Sequence, residues 1–184
     1  MLEALMRYDA GEDEAGHRDD IADLFRSAGE ECLYRTHFSP GHITGSGLLV
    51  SADGARVLMN HHKFLNIWIC FGGHADGNGD ILDVARREVM EESGIADIEP
   101  AIESIFSVDV HAIPPNDKKG EPAHKHFDIR YLFRVRTAEN ENFRLSAESN
   151  NLRWCGFDDA MALSSPQDHS MHRLLKKWKD WRGL

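Results

Sequence analysis

The stretch Asp80–Ile95, "DILDVARREVMEESGI", carries three glutamates on a segment whose spacing predicts a helix. On a helix of about 3.6 residues per turn, Ile81 and Val84 begin an apolar stripe. Glu88 and Glu92 continue the same stripe one and two turns later. A face that begins apolar and should point inward therefore becomes acidic before the helix ends.

The acidic end of this helix is electrostatically unfavourable without a counter-charge. We expect the helix to end at Ser93, because Gly94 readily adopts the left-handed conformation that terminates helices. The carboxylates then lie in the last turns, where the helix dipole is negative, and they also repel one another. A solvated acidic face is the simpler interpretation of a charge run, but here the stripe points inward. A divalent cation would remove the repulsion, and clustered carboxylates suit magnesium or manganese.

The composition indicates one domain with a proper core. The chain has 184 residues, 41% of them hydrophobic, and a formal net charge of −10. We find no apolar run of membrane-spanning length and no secretory signal, so we expect no membrane partner. Cys32, Cys70 and Cys155 are odd in number and well separated, which predicts reduced core cysteines in a cytoplasmic protein. The acidic balance disfavours binding to nucleic acid but allows a nucleotide held through a metal.

Strand-like and helix-like segments alternate around the acidic helix. We predict helices over residues 12–32 and at the end of the chain, and a hairpin around Ala52-Asp53-Gly54. Further strands are predicted in four segments: "LNIWICF" (65–71), "AIESIFSVDVHAI" (101–113), "HFDIRYLFRVR" (126–136) and "NLRWCGF" (151–157). This pattern favours a mixed sheet with helices on its faces, but it does not give the strand order.

The stretch Gly73–Ile95 resembles the Nudix box, G-x5-E-x7-R-E-U-x-E-E-x-G-U with U aliphatic. The residues in register are Gly73, Arg87, Glu88, Val89, Glu91, Glu92, Gly94 and Ile95. The resemblance implies an α/β (α+β) fold, an α/β/α sandwich with a mixed central sheet, over residues 39–184. Residues 1–38 would form a helical extension packed on that domain. This extension either covers one sheet face or makes a homodimer contact.

One position departs from the family pattern. Gly79 stands where the family has its first glutamate, and Asp80 follows it. In the family that glutamate mainly supports the box, so its loss affects loop geometry and substrate subgroup more than the metal site. Asp80 either substitutes for it or caps the helix, and we favour capping. By the same resemblance Arg87 is a structural residue that pairs with carboxylates.

The resemblance implies metal-dependent hydrolysis of a diphosphate bond in a nucleoside diphosphate linked to another group. Glu88, Glu91 and Glu92 would bind Mg²⁺ or Mn²⁺, with the Gly73 carbonyl as a further ligand. One of Glu91 and Glu92 would also orient or deprotonate the attacking water. The partner would be a small-molecule diphosphate, and we expect it to be a nucleotide. The sequence does not indicate which base the nucleotide carries.

Several polar residues outside the box are candidates for substrate binding. His124, His126 and Asp128 alternate at the start of a strand and so face one side. They either line the pocket, touching phosphate or a second metal, or belong to a solvated sheet face. We expect His74 to make a hydrogen bond in the glycine-rich loop rather than to bind metal. Glu148 matches the position of a general base in some family members, or is a surface glutamate.

Two other functions remain open at this stage. An isopentenyl-diphosphate-isomerase-like enzyme would need a positioned cysteine, for which Cys70 is available, and a histidine-rich metal site. A non-catalytic Nudix-like sensor would bind a nucleotide without cleaving it. The complete arginine and glutamate core of the box, Arg87 to Glu92, favours the hydrolase over both.

Overall fold

The computed structural model describes residues 1–183. The helices are α1 (Leu2–Arg7), α2 (Gly11–Ala28), α3 (Ile81–Ser93), α4 (Phe157–Leu163) and α5 (His169–Arg182). The strands are β1 (Gly41–Val50), β2 (Val57–His62), β3 (Trp68–Ile69), β4 (Phe71–His74), β5 (Ile98–Pro100), β6 (Ser107–Ile113), β7 (His124–Val135) and β8 (Ser149–Cys155). The strand order is β3-β2-β1-β7-β5, and β4 pairs with β1, β6 with β7 and β8 with β2. The predicted α+β class with a mixed sheet is confirmed.

The chain divides into two compact units. The first unit contains residues 1–46, 72–85 and 102–131, and the second contains residues 47–71, 86–101 and 132 onward. The helix α3 and the strands β1, β4 and β7 contribute residues to both units.

In the first unit, α2 packs on β6. Ile21 and Leu24 of α2 are buried, and so is the carboxylate of Glu14, which accepts a hydrogen bond of 2.7 Å from the Ser107 hydroxyl. β6 runs antiparallel to β7, with His111 opposite His126. The predicted N-terminal helix is present, although its last turn is a 3-10 helix from Gly29 to Leu33.

In the second unit, β2 pairs with β3 and β8 and forms the predicted hairpin with β1 through Val50 and Val57. The terminal helix α5 has the predicted amphipathic spacing. Its buried residues are Met171, Leu174, Leu175 and Trp178. The Trp178 indole is fully buried and donates a hydrogen bond of 3.2 Å to the Gly54 carbonyl, which ties α5 to the hairpin turn.

The segment from Leu65 to Phe71 is not the continuous buried strand that its composition predicts. It forms only the two-residue β3 and the first residue of β4, and Leu65 is 59% exposed. The cause is a turn between β2 and β3, in which Asn66 takes a positive φ of 56° and donates its backbone N–H to the His62 carbonyl. Cys70 is therefore half-buried rather than a core residue, whereas Cys32 and Cys155 are buried as predicted.

The strand predicted from Ala101 also begins later than expected. Residues 101–104 form bends, and β6 starts only at Ser107. The short elements α1, β5 and α4 were not predicted, because six or seven residues of helix or three of strand give too short a periodic pattern.

The second unit has no room for a side chain at Gly47. A Cβ atom built there would clash with the Val89 side chain of α3 and lie 2.9 Å from the Phe133 ring. We expect Gly47→Ala to lower the free energy of unfolding by about 1–3 kcal/mol, because the packed core must move apart. Urea denaturation of both proteins measures this, with Gly156→Ala, where a Cβ meets nothing within 4 Å, as the matched control.

Candidate functional site

The ends of α3 are fixed by local contacts. The Asp80 carboxylate accepts a hydrogen bond of 3.1 Å from the backbone N–H of Asp83, which is the capping role favoured from the sequence. At the other end Gly94 has a φ of 70° and donates its N–H to the Met90 carbonyl at 3.0 Å. The helix therefore ends immediately after its three glutamates, as predicted.

The three glutamates of α3 differ in exposure. Glu92 is buried at 6% exposure, the Glu88 side chain is 15% exposed and the Glu91 side chain is 62% exposed. The Arg87 guanidinium lies 2.8 Å from a Glu88 carboxylate oxygen and 3.5 Å from a Glu91 oxygen. Arg87 thus holds two of the box carboxylates together at the surface of the second unit.

Asn60 of β2 fixes the buried glutamate. Its side-chain amide donates a hydrogen bond of 2.7 Å to Oε2 of Glu92, and Asn60 itself is fully buried. The Oδ1 atom of Asn60 is buried as well and has no hydrogen-bond partner within residues 1–183. Asn60 was not predicted from the sequence, although a lone amide after the apolar run Val57–Met59 was an available signal.

The carboxylates carry more negative charge than Arg87 balances. Burial raises the pKa of the Glu88 carboxyl above its usual value; the Arg87 charge lowers it, and the Glu91 and Glu148 charges raise it further. Glu148 is exposed, and its backbone carbonyl accepts a hydrogen bond of 2.8 Å from the Lys63 N–H. The structure therefore brings Glu148, predicted from its position alone, within electrostatic range of the box glutamates.

This donor set fits a hard divalent cation. It offers carboxylate oxygens and the unpartnered amide oxygen of Asn60, and oxygen ligands are those that Mg²⁺ and Mn²⁺ prefer. A cation would also offset the repulsion at the negative end of the helix dipole. When bound, such an ion supplies charge neutralisation, orientation of a phosphate and a lowered pKa of water.

The raised pKa of Glu88 has a testable consequence for stability. An acid whose pKa is higher in the folded state favours folding when protonated, and that contribution is lost as pH rises. We expect metal-free Glu88→Gln to be more stable than the parent chain near neutral pH. The gain should vanish below the ordinary glutamate pKa of about 4.3.

Thermal melting in the presence of a chelator, once near neutral pH and once below pH ~4.3, measures this difference in stability. Magnesium should stabilise the parent chain and stabilise Glu88→Gln less, because the variant lacks one carboxylate. Glu30→Gln, an exposed glutamate of the 3-10 helix, is the control and should change neither result. Equal stability of Glu88→Gln and the parent chain at neutral pH would contradict the electrostatic account.

A second group of polar side chains lies in the first unit. The ring centroids of His124 and His126 are 5.3 Å apart, and those of His74 and His126 are also 5.3 Å apart. The ring centroid of His42, the second residue of β1, lies 4.8 Å from that of His126. His42 was not predicted as a site residue from the sequence. His74 is the last residue of β4, where the glycine-rich loop begins, and its ring lies beside those of His42 and His126. Its expected hydrogen bond in the loop stays a prediction.

Asp128 shares the side of β7 with these histidines but belongs to a buried network. It accepts hydrogen bonds from the Thr44 hydroxyl at 2.9 Å, the Ser46 hydroxyl at 2.7 Å and the Arg130 Nε at 2.6 Å. Asp128 is 3% exposed and His124 7% exposed. The solvated-face interpretation of these residues is therefore wrong.

Burial lowers the pKa values of three of these histidine rings, His42, His74 and His126, and so favours their neutral form. Burial lowers the pKa of His126 to about 2, with further lowering by His111 and the other nearby rings. Burial also lowers the pKa of His74 to about 4, and the Arg35 charge acts in the same direction. Neutral imidazole is the form that binds transition metals.

Gly73, which was predicted as a backbone metal ligand, lies in β4 and belongs to the first unit. Glu88, Glu91 and Glu92 belong to the second unit.

Comparison with known proteins identifies the family. A NUDIX domain model matches residues 42–178, which is more than half of the chain. The chain therefore belongs to the NUDIX domain family, as the resemblance of its glutamate box implied. Among the helices within residues 1–183, none combines the length and the hydropathy needed to cross a bilayer.

Individual relatives are more distant. A region of 99 residues is 28% identical to the protein named "Probable DHNTP pyrophosphohydrolase" of Lactococcus lactis subsp. cremoris and covers 54% of this chain and 57% of that protein. A region of 100 residues is 29% identical to m7GpppN-mRNA hydrolase of Xenopus laevis and covers 52% of this chain and 33% of that protein. The chain thus aligns with less than two thirds of either curated relative.

A solved structure shares the fold at low identity. The C. elegans Ap4A hydrolase, solved as a binary complex, superposes with a TM-score of 0.60 over 77% of this chain and 97% of that chain. The two sequences are 19% identical. The match supports the fold alone.

Proposed function

We propose that the chain is a divalent-metal-dependent hydrolase that cleaves a diphosphate bond in a nucleoside diphosphate linked to another group. The observation that carries this proposal is the cluster of Glu88, Glu91 and Glu92 at the end of α3, joined by buried Asn60, inside a NUDIX domain. The curated relatives are named as a pyrophosphohydrolase and an mRNA hydrolase, which supports the reaction class.

The glutamates of the Nudix box have distinct proposed roles. Glu88, Glu91 and Glu92 hold Mg²⁺ or Mn²⁺. The Asn60 hydrogen bond fixes the orientation of the Glu92 carboxylate, which suits a group that must meet a reacting atom in one geometry. The more exposed Glu91 remains the alternative for orienting or deprotonating water.

Glu148 is a third candidate for the general base. It is exposed, so water reaches it, and its charge acts on Glu88. A base near the metal-binding carboxylates can accept the proton of the attacking water. Arg87 is proposed to position Glu88 and Glu91 rather than to take part in the reaction.

The remaining parts of the proposal concern partners and location. The partner is a small-molecule diphosphate of nucleotide type, not nucleic acid and not a membrane. A cytoplasmic location is supported by the number and separation of the three cysteines, which are typical of a protein of a reducing compartment. Residues 39–184 are proposed to act as the hydrolase domain, and residues 1–38 as an extension that is available for a homodimer contact.

The proposal is tested by incubating the protein with magnesium, then manganese, and a panel of diphosphate compounds. The panel contains nucleoside triphosphates, ADP-ribose, dinucleoside polyphosphates, diphosphate sugars and isopentenyl diphosphate, and mass spectrometry identifies the products. We expect metal-dependent cleavage of one compound class. Binding of a nucleotide without cleavage of any compound would favour a sensor, and conversion of isopentenyl diphosphate without hydrolysis would favour an isomerase.

A further inference from the structure

Three histidines of the first unit converge in a buried position. His42 of β1 and His124 and His126 of β7 each bring one ring nitrogen within 4.8 Å of the other two. His42 is 1% exposed, His124 is 7% exposed and His126 is half-buried. Each buried ring has polar nitrogens that lose their hydrogen bonds to water, so these nitrogens need other partners.

Backbone carbonyls contact one ring nitrogen of each of two of these histidines. Nδ1 of His42 lies 3.3 Å from the His37 carbonyl, and Nδ1 of His124 lies 2.8 Å from the Pro122 carbonyl. A carbonyl only accepts, so both Nδ1 atoms carry a proton, and the Nε2 atoms are the ones that these backbone contacts leave for a shared ligand. Metal-binding histidines show this arrangement, in which a backbone carbonyl orients the ring.

The Nε2 atom of His42 is the clearest sign of a missing ligand. It is buried and has no hydrogen-bond partner among the residues described, 1–183. A lone pair withdrawn from water and left unpaired costs free energy, whereas a bound cation would satisfy it. This observation is independent of the spacing of the three rings.

We propose that His42, His124 and His126 form a binding site for a divalent transition-metal ion of the zinc type. Three neutral imidazoles are a ligand set for zinc that leaves one position for water or for a ligand oxygen. Nitrogen atoms around tetrahedral zinc are about 3.3 Å apart, so the rings must close in by roughly 1.5 Å at most. The site differs in kind from the carboxylates of α3, because magnesium does not favour imidazole.

The surroundings of the three rings contain two further imidazoles and a carboxylate network, and the positive charge of Arg35 also acts on His42 and His74. His74 has its ring centroid 5.0 Å from that of His42 and is the nearest further imidazole that could take the open position. The exposed His111 ring lies 5.6 Å from His126 and is held by the Asp109 carboxylate at 2.9 Å. Asp109 also accepts from Arg130, so its charge is shared within the same buried network.

Metal titration of the 184-residue chain tests the proposal. Millimolar magnesium is present throughout to occupy the carboxylates of α3, and Zn²⁺ or Co²⁺ is added during calorimetry. We expect one tightly bound equivalent, and a visible Co²⁺ absorption spectrum of the intensity typical of four-coordinate nitrogen ligation. The double variant Glu91→Gln with Glu92→Gln should bind this equivalent unchanged, which separates the site from the proposed hydrolase.

Variants of the histidines locate the ion. His126→Gln, at the half-buried position, should weaken zinc binding by at least about tenfold, and His124→Gln should do the same. His169→Gln, an exposed histidine at the start of α5, is the matched control and should bind zinc as the parent chain does. Circular dichroism and melting verify that each variant folds.

A direct readout covers the case in which a buried variant fails to fold. Zinc added to the parent chain should shift the imidazole NMR signals of His42, His124 and His126 and leave that of His169 unchanged. The proposal is overturned if the parent chain takes up no equivalent, if the signals do not shift, or if folded His126→Gln and His124→Gln retain full affinity. The cluster would then be a packed group of neutral rings.

Discussion

Replacing Glu92 by glutamine is expected to lower kcat for diphosphate hydrolysis by about two to four orders of magnitude. The glutamine side chain keeps the shape and can still accept the Asn60 hydrogen bond at 2.7 Å, so the fold should survive. It removes the negative charge of the one box carboxylate that is buried and held in a fixed orientation. Steady-state kinetics with the substrate found in the panel, at saturating magnesium, measure the loss.

Three further variants make the result specific. Glu103→Gln makes the same chemical change on an exposed glutamate of the bends before β6 and should leave kcat unaltered. Glu91→Gln should raise the magnesium concentration needed for half-maximal rate, because a ligand is lost while Glu92 stays in place. If Glu92→Gln retained full kcat and Glu148→Gln lost it, Glu148 would be the general base and the role proposed for Glu92 would be wrong.

The helix that carries these carboxylates was predictable because its signals are local. Asp80, the apolar stripe and Gly94 lie within fifteen residues, and capping and helix termination depend only on near neighbours. Asn60 was not predictable as a partner of Glu92, since the two are 32 residues apart in the sequence. Such a contact follows from strand register and helix packing, which composition and periodicity do not specify.

The same limit explains the errors elsewhere in the chain. The segment Leu65–Phe71 is apolar enough for a buried strand, but the chain makes a turn at Asn66, which has a positive φ. The segment contains no glycine or proline from which this turn could have been predicted. His124 and His126 were found because alternation on a strand is local. His42 was missed because it reaches them only through the folding of β1 and β7 in the first unit.

Asp128→Asn is expected to lower the free energy of unfolding by about 3–5 kcal/mol, because it leaves the buried Arg130 guanidinium without its nearest negative charge. The Arg130 Nε donates to Asp128 at 2.6 Å, and both side chains are more than nine-tenths buried. Thr44 and Ser46 donate to the same oxygen, Oδ1, so the amide oxygen of asparagine can still accept from both. The amide nitrogen would then replace the charged oxygen that accepts from Arg130, and it cannot accept a hydrogen bond. Urea denaturation of the variant and the parent chain measures the difference.

The same variant separates a structural role for Asp128 from a role in substrate binding. Because its carboxylate is committed to Thr44, Ser46 and Arg130, we expect folded Asp128→Asn to keep the KM of the parent chain at a temperature well below its melting point. Asp117→Asn, an exposed aspartate of the loop before β7, should change neither stability nor KM. Normal stability of Asp128→Asn together with a raised KM would instead assign Asp128 to the substrate. The hydrogen bonds of the network would then be too weak to matter for folding.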